Sequence, residues 1–180
     1  MGLRLDAAQP QVGNTLARIA WALARFPEVW LLLMPALYTA LAVASPLLRA
    51  YGHPAAGTAV FALFHGWCHQ LPSRSLFLDG YPMAVCSRCF SLGASVVVAG
   101  LLSARIAAFG TFPRHFRVPF WGIGLAAVPM ALDGFSQLFG LRESNNTLRV
   151  ITGCLLGGAV AFWAIPALYD AFDEIKKTHA

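Results

Sequence analysis

The chain has 180 residues, of which 58% are hydrophobic and 12% charged, and its mean hydropathy is +0.63. An ordinary soluble domain is nearer half apolar and about a quarter charged, so the composition excludes that class and predicts an integral membrane protein. The formal net charge of +5 is carried by arginines near the ends of apolar runs, which indicates membrane-flanking residues and no nucleic-acid partner.

Hydropathy predicts an all-α, polytopic membrane protein with about four transmembrane helices in a helical bundle. Residues 1–27 have the spacing of an N-terminal amphipathic helix. Four apolar runs have the length of about 20 residues that crosses a hydrocarbon core: residues 29–48, 85–109, 119–139 and 148–168. The connection at 49–84 contains a shorter apolar run, 55–64, for which we expect a short interfacial or re-entrant helix. Residues 1–180 are predicted to form one membrane domain.

The distribution of cations predicts an orientation. With the N-terminus inside, eight arginines and lysines lie on that side of the predicted bundle and five on the other. The positive-inside rule then favours both termini in the cytoplasm of a prokaryote, with the lipid bilayer as partner and the connection at 49–84 outside. Four spans would bring that connection and the turn at 140–147 to the same side. The sequence leaves undecided whether the chain forms a homo-oligomer.

Three of the four cysteines lie in the segment 65–93. Cys86 and Cys89 form a C-x-x-C pair, whose members face the same way if both lie on a helix. Cys68 and His69 precede Cys86 by 18 and 17 residues, a separation typical of the two halves of a four-ligand site. We therefore predict a metal site with these four ligands. Thiolates with an imidazole favour zinc, and copper or an iron–sulfur cluster is a weaker alternative.

The same cysteines fit two other functions. A C-x-x-C at a helix N-terminus has thiolates stabilised by the helix dipole and, here, by Arg88. Cys68, on the preceding loop, could act as the partner thiol of this pair. The chain would then be a membrane thiol–disulfide oxidoreductase that uses a quinone. In a third interpretation a disulfide only ties the loop to the bundle, and the protein is a non-enzymatic structural or assembly factor. Whether the chain is an enzyme is left open.

A second polar group follows the third predicted span. Asp133 and Gln137 share a helix face, and a charged residue within a span normally faces the bundle interior with a partner. Asp133 and Arg88 are the catalytic candidates. We predict a polar shell beside the metal, or a pocket for an anionic small-molecule substrate, from these cofactor-binding candidates: Arg74, Gln137, Arg142 and Arg149. Residues 144–146 are expected to cap the last helix.

An ordered set of motifs over residues 60–160 resembles a family of small prokaryotic membrane proteins, domain of unknown function 2085. The motifs are Cys68-His69-Gln70, Arg74-Ser75, Cys86-x-Arg88-Cys89, Asp133-Gly134, Gln137, Gly140, Arg142-x-Ser144-Asn145, Leu148-Arg149 and Thr152-Gly153. Where the family usually continues its C-x-R-C with Thr-Gly, this chain has Phe90-Ser91. The resemblance implies a polytopic bundle and no particular activity.

Overall fold

The computed structural model describes residues 27–109 and 117–178, which form five α-helices and one β-hairpin. The elements in chain order are α1 (Pro27–Ala50), α2 (Pro54–Leu63), a 3₁₀ turn (Pro72–Arg74), β1 (Ser75–Leu78), β2 (Tyr81–Cys86), α3 (Ser87–Phe109), α4 (Phe120–Leu138) and α5 (Asn146–Thr178). The amphipathic helix predicted for residues 1–27 lies outside the described residues, which begin at Pro27.

The prediction of an all-α fold with about four transmembrane helices is wrong. β1 and β2 pair as a two-stranded antiparallel sheet. In the described part of the chain, two helices are long and apolar enough to cross a membrane, at Leu32–Ala50 and Asn146–Leu168. By the same test the described side chains of α3 give a shorter apolar segment, Ser87–Ser103, although the helix itself continues to Phe109. β2 contains residues 85 and 86, the first two of the run that we expected to be helical. α4 is not among the candidates, and Asp133 interrupts its apolar sequence.

The hairpin owes its tight turn to Asp79 and Gly80. Both residues have positive φ, 48° and 81°. Asp-Gly is a favoured sequence for such a turn, because both central residues of a type I′ turn need positive φ. Leu78 therefore pairs with Tyr81 at the turn, and Ser75 pairs with Cys86 at the open end of the hairpin. The open end is where α3 begins.

The main apolar core lies where α1, α2 and the hairpin meet. Ala42 of α1 and residues 83–85 of β2 are almost fully buried there. The rings of Tyr38 and Phe64 pack edge to face with their centroids 5.2 Å apart. Cys68 belongs to the same core. Cys68 is thus held in an apolar environment together with residues of β2.

The contact between α3 and α5 is the most extensive in the fold. Gly153 and Gly157 of α5 lie directly against the backbone of Arg88 and Leu92, and a Cβ atom at Gly153 would lie 2.8 Å from the Arg88 carbonyl oxygen. Small residues at this spacing let two helices approach closely. α4 also packs against α5. Many large apolar side chains point outward, including Leu37, Leu101 and Leu125, a distribution typical of membrane proteins.

Candidate metal centre and arginine cluster

The sulfur atoms of Cys68, Cys86 and Cys89 all lie within 4.8 Å of one another. Cys68 follows α2, Cys86 is the last residue of β2, and Cys89 lies in the first turn of α3. The C-x-x-C pair therefore spans a strand-to-helix junction, where we had expected a single helix. All three cysteines are free thiols. A tetrahedral zinc ion would hold its sulfur ligands about 3.8 Å apart, so small side-chain movements would allow one ion to contact all three.

The Cys68 sulfur accepts several hydrogen bonds. The backbone N–H of Cys86 donates to it over 3.2 Å, and the backbone N–H of Gln70 also donates to it. Gln70 has a φ of 50°, a left-handed conformation that turns the chain back toward Cys68. Hydrogen bonds from the thiols of Cys86 and Cys89, together with these backbone groups, lower the pKa of Cys68 well below its usual range. These contacts favour negative charge on the Cys68 sulfur.

The other expected ligands lie outside this group of three. His69 is exposed, and it is not part of the cluster that the described residues form. His65 Nδ1 lies 3.1 Å from the side-chain oxygen of Gln70. Cys154 is exposed on α5. The structure thus brings together three of the four predicted metal ligands.

Two residues near the sulfurs were missed by sequence reasoning. The hydroxyl of Tyr38 on α1 forms a hydrogen bond with Cys89. The side-chain nitrogen of Gln70 donates to the carbonyl oxygens of Phe61 and Ala84, at 2.6 and 2.9 Å. Gln70 is part of the Cys68-His69-Gln70 motif, but the sequence analysis gave it no role in the site. Tyr38 carries no such signal, because it lies in a distant apolar helix and reaches the site only through tertiary packing.

The carboxylate of Asp133 joins three parts of the chain. Asp133 is only 1% exposed. Arg88 of α3 pairs with its Oδ2 atom, and Arg142, which precedes α5, pairs with Oδ1 at 2.6 Å. The hydroxyl of Ser144 also donates to Oδ2, at 2.8 Å. The two catalytic candidates, Asp133 and Arg88, are therefore an ion pair with both carboxylate oxygens occupied.

The side chain of Gln137 lies between two further arginines. With its amide oxygen turned toward them, Gln137 accepts hydrogen bonds from Arg149 at 3.0 Å and from Arg74 at 3.3 Å. Arg149 is 3% exposed and also donates to Oδ1 of Asn146, at 2.9 Å. We call the whole polar group the arginine cluster; it consists of Arg74, Arg88, Asp133, Gln137, Arg142 and Arg149. All the polar candidates predicted from the sequence are in it.

The arginine cluster adjoins the three cysteines. Arg88 lies between Cys86 and Cys89 in the chain, and Arg149 interacts electrostatically with Cys86 as well as with Arg74 and Arg88. Hydrogen bonds of 3.0 and 3.2 Å join Ser87 to the Arg74 carbonyl and Asn146 to the Ser75 carbonyl. The cysteine segment and the 133–149 segment therefore occupy one region of the molecule.

The N-terminus of α5 is capped by Asn145. Its Oδ1 atom accepts a hydrogen bond of 2.8 Å from the backbone N–H of Leu148. The predicted cap within residues 144–146 is thus confirmed. Ser144, which the sequence also offered as a cap, instead binds Asp133. The residues just before α5 therefore both cap the helix and contribute a hydrogen bond to the arginine cluster.

Comparisons with known proteins give one family model and two archaeal relatives. A family model described as "Predicted membrane protein (DUF2085)" matches residues 68–163, which contain all three clustered cysteines and the arginine cluster. An uncharacterized protein of Methanocaldococcus jannaschii is 40% identical over 112 residues, which are 62% of this chain and 69% of that protein. An uncharacterized protein of Methanothermobacter thermautotrophicus is 34% identical over 94 residues, or 52% and 80% of the two chains. No solved structure matches the chain.

Proposed function

This chain belongs to the DUF2085 family of predicted membrane proteins, and we propose that it binds a zinc ion through Cys68, Cys86 and Cys89. The observation that carries the proposal is the convergence of three sulfur atoms from three separate elements within 4.8 Å. Thiolates are the ligands that zinc and copper(I) prefer, and zinc is the metal of most structural sites with three or four cysteines. An iron–sulfur cluster is a weaker alternative, since such clusters are usually held by four cysteines.

The surroundings of the sulfurs support metal binding. Backbone N–H groups and the N-terminal turn of α3 both stabilise negative charge on sulfur, and a zinc ion needs its thiol ligands deprotonated. Tyr38 adds a hydrogen bond to Cys89 from outside the ligand set. A tetrahedral ion has a fourth ligand position, which we assign to water or to His69 if its side chain turns inward.

Elemental analysis of the detergent-purified protein tests the proposal. We expect about one zinc ion per chain in the wild type, and its loss in Cys86→Ser and in Cys89→Ser. Cys154→Ser is the matched control, because that cysteine is exposed and lies outside the group of three. His69→Ala decides the fourth position, since metal is retained if water occupies it.

Two results would contradict zinc binding. One is a metal-free wild type in which the three thiols react freely with an alkylating reagent after zinc has been offered. The other is an equal loss of zinc from Cys154→Ser and Cys86→Ser. Removal of the metal with a chelator gives an independent readout, because a structural zinc ion contributes to folding and its removal should lower the unfolding temperature.

A thiol–disulfide oxidoreductase is the second candidate, and the contact between Cys86 N–H and the Cys68 sulfur favours it because the two cysteines lie side by side. Two thiols would form one disulfide and release two protons and two electrons, which a quinone would accept to become a quinol. This function requires metal-free protein whose thiol count falls reversibly by two and whose reduced form is reoxidised by added quinone. A disulfide that does not cycle would indicate the structural role.

The membrane part of the proposal rests on α1 and α5, which contain the two candidate spans. The orientation with both termini in the cytoplasm stays a prediction, as does assembly into a homo-oligomer. Labelling with a membrane-impermeant thiol reagent, applied from each side of sealed vesicles, would identify the side that exposes the cysteine group.

A further inference from the structure

The arginine cluster carries more positive charge than the described residues around it neutralise. It contains four guanidiniums, those of Arg74, Arg88, Arg142 and Arg149, and one carboxylate, that of Asp133. Four positive groups and one negative group leave three positive charges. Glu143 is exposed and makes no ion pair within the described residues. Arg142 is half exposed to solvent, but Arg88 and Arg149 are largely buried. Buried charges are costly without partners, so this excess calls for an anion.

The hydrogen-bond donors of the cluster also outnumber its acceptors. The Nε atom of Arg88 is buried and has no hydrogen-bond partner among the described residues. Arg74 and Arg149 share one acceptor, the amide oxygen of Gln137. Each guanidinium offers five N–H donors and no acceptor. Because Arg149 is only 3% exposed, bulk water is not available to complete its hydrogen bonds.

An open cleft of about 650 Å³ lies beside these groups. Its polar wall consists of Arg74, Arg88 and Gln137, and the rest is apolar, with side chains such as Met130, Phe135 and Leu156. The volume is that of a typical small-molecule site. The combination suits a ligand that has an anionic group at one end and an apolar body.

We propose that this cleft binds a phosphate monoester group, with Arg74 and Arg88 as its principal contacts. The planar guanidinium fork matches two phosphate oxygens, and a phosphate monoester carries a charge of about −1.5 to −2 at neutral pH. Phosphate binding does not depend on the zinc proposal. Three thiolates with one zinc ion have a net charge of −1, so the arginine cluster would still have an excess of two positive charges beside them. A carboxylate would neutralise only one. The phosphate can belong to a soluble metabolite or to a lipid headgroup.

Thermal unfolding of the full chain tests the proposal and separates the two sources. In detergent, glycerol 3-phosphate and inorganic phosphate are compared with sodium chloride of equal ionic strength, because a ligand that binds the folded state raises its unfolding temperature. In phosphatidylcholine nanodiscs, the protein is compared with and without phosphatidic acid. Stabilisation by the soluble phosphates indicates a metabolite, and stabilisation by phosphatidic acid alone indicates a lipid headgroup. Either result supports a phosphate site.

A pair of variants shows whether the cleft is responsible. Arg74→Gln should weaken phosphate binding about tenfold or more, because it removes charge-assisted hydrogen bonds. Arg117→Gln is the control. It removes the same single positive charge, but from an exposed arginine that pairs with Asp170 and is not named in the cleft. Should Arg74→Gln fail to fold, Arg74→Lys keeps the charge, loses the fork and should also weaken binding. Absence of stabilisation by every phosphate, or equal weakening in Arg117→Gln, would overturn the proposal.

Discussion

At the scale of single residues, Gln70 determines how Cys68 meets the other cysteines. Its positive φ bends the chain after Cys68, and its buried side chain joins the end of α2 to β2 through the carbonyl oxygens of Phe61 and Ala84. Its own backbone N–H faces the Cys68 sulfur. One residue therefore sets both the conformation of the turn and the position of a proposed metal ligand.

Gln70→Ala should destabilise the protein by about 2 to 3 kcal/mol, because it leaves two carbonyl oxygens without their donor, while the strain of a Cβ at positive φ is already present in the wild type. The measurement is the unfolding temperature in detergent together with the zinc content, and both should fall. Gln70→Gly loses the same hydrogen bonds but tolerates the backbone, so the difference between the variants isolates the strain. An Ala variant that unfolds like the wild type would show that the turn does not depend on Gln70.

Residue spacing alone identified most of the candidate site, for a physical reason. Polar residues in an apolar chain need partners, so Asp133 and the arginines had to meet somewhere whatever the fold. Residue spacing could not show which of two residues adjacent in the chain faces the site. Cys68 and His69 are adjacent, and adjacent side chains on a non-helical chain point in different directions, so a buried Cys68 goes with an exposed His69. Only the turn at Gln70 decides which of them faces the core.

At the scale of elements, the hairpin was missed although the sequence contains its signal. Asp79-Gly80, with SLFL before it and YPMAVC after it, is a strong pattern for a two-residue hairpin. The predicted helix starts at residue 85 and so takes in the last two residues of β2, while the rest of the hairpin lies in what was predicted as a connection. A boundary between two apolar elements is set by hydrogen bonding to β1, which a hydropathy average does not contain.

Asp133 ties α3 to α4 and to the connection before α5. Replacing it with asparagine leaves Arg88 largely buried without its counter-ion, and removing one partner of a buried pair costs about 3 to 5 kcal/mol. Arg142 is half exposed and adds little. Asp133→Asn should therefore lower the unfolding temperature strongly.

Asp170→Asn is the matched control for this prediction. Asp170 is paired with Arg117 at 3.5 Å, but the two side chains are 69% and 41% exposed. Exposed pairs contribute about 0 to 1 kcal/mol, so this variant should unfold close to the wild type. If both aspartate variants lost the same stability, burial of the Arg88–Asp133 pair would not be what stabilises this corner.

At the scale of the whole molecule, the predicted number of membrane spans was wrong. The contact between the segments 49–84 and 140–147 was expected, but for the wrong reason. We predicted that four spans would bring residues 49–84 and 140–147 to one side. The two segments do meet, through contacts such as that of Asn146 with Ser75. Among the described residues, candidate spans lie in α1 and α5 alone.

The contact between α3 and α5 sets the distance between the three cysteines and the arginine cluster. The first turn of α3 carries Arg88 and Cys89, and the first turn of α5 carries Arg149. One turn further along α5, Gly153 lies against the backbone of Arg88 and Leu92. Separating these helices would therefore move Arg149 away from Arg88 and Cys86 together.

Two adjacent glycines of α5 allow this contact to be tested within one helix. A Cβ atom at Gly157 would collide with the Leu92 carbonyl oxygen, whereas one at Gly158 would meet nothing within 4 Å. Gly157→Ala should therefore force α3 and α5 apart and cost about 1 to 3 kcal/mol. Gly158→Ala should be neutral or stabilise by up to about 1 kcal/mol, since alanine favours the helix. Unfolding temperatures and zinc contents measured side by side decide the matter: the reverse order, or two equal variants, would mean that close approach of these helices does not hold the site together.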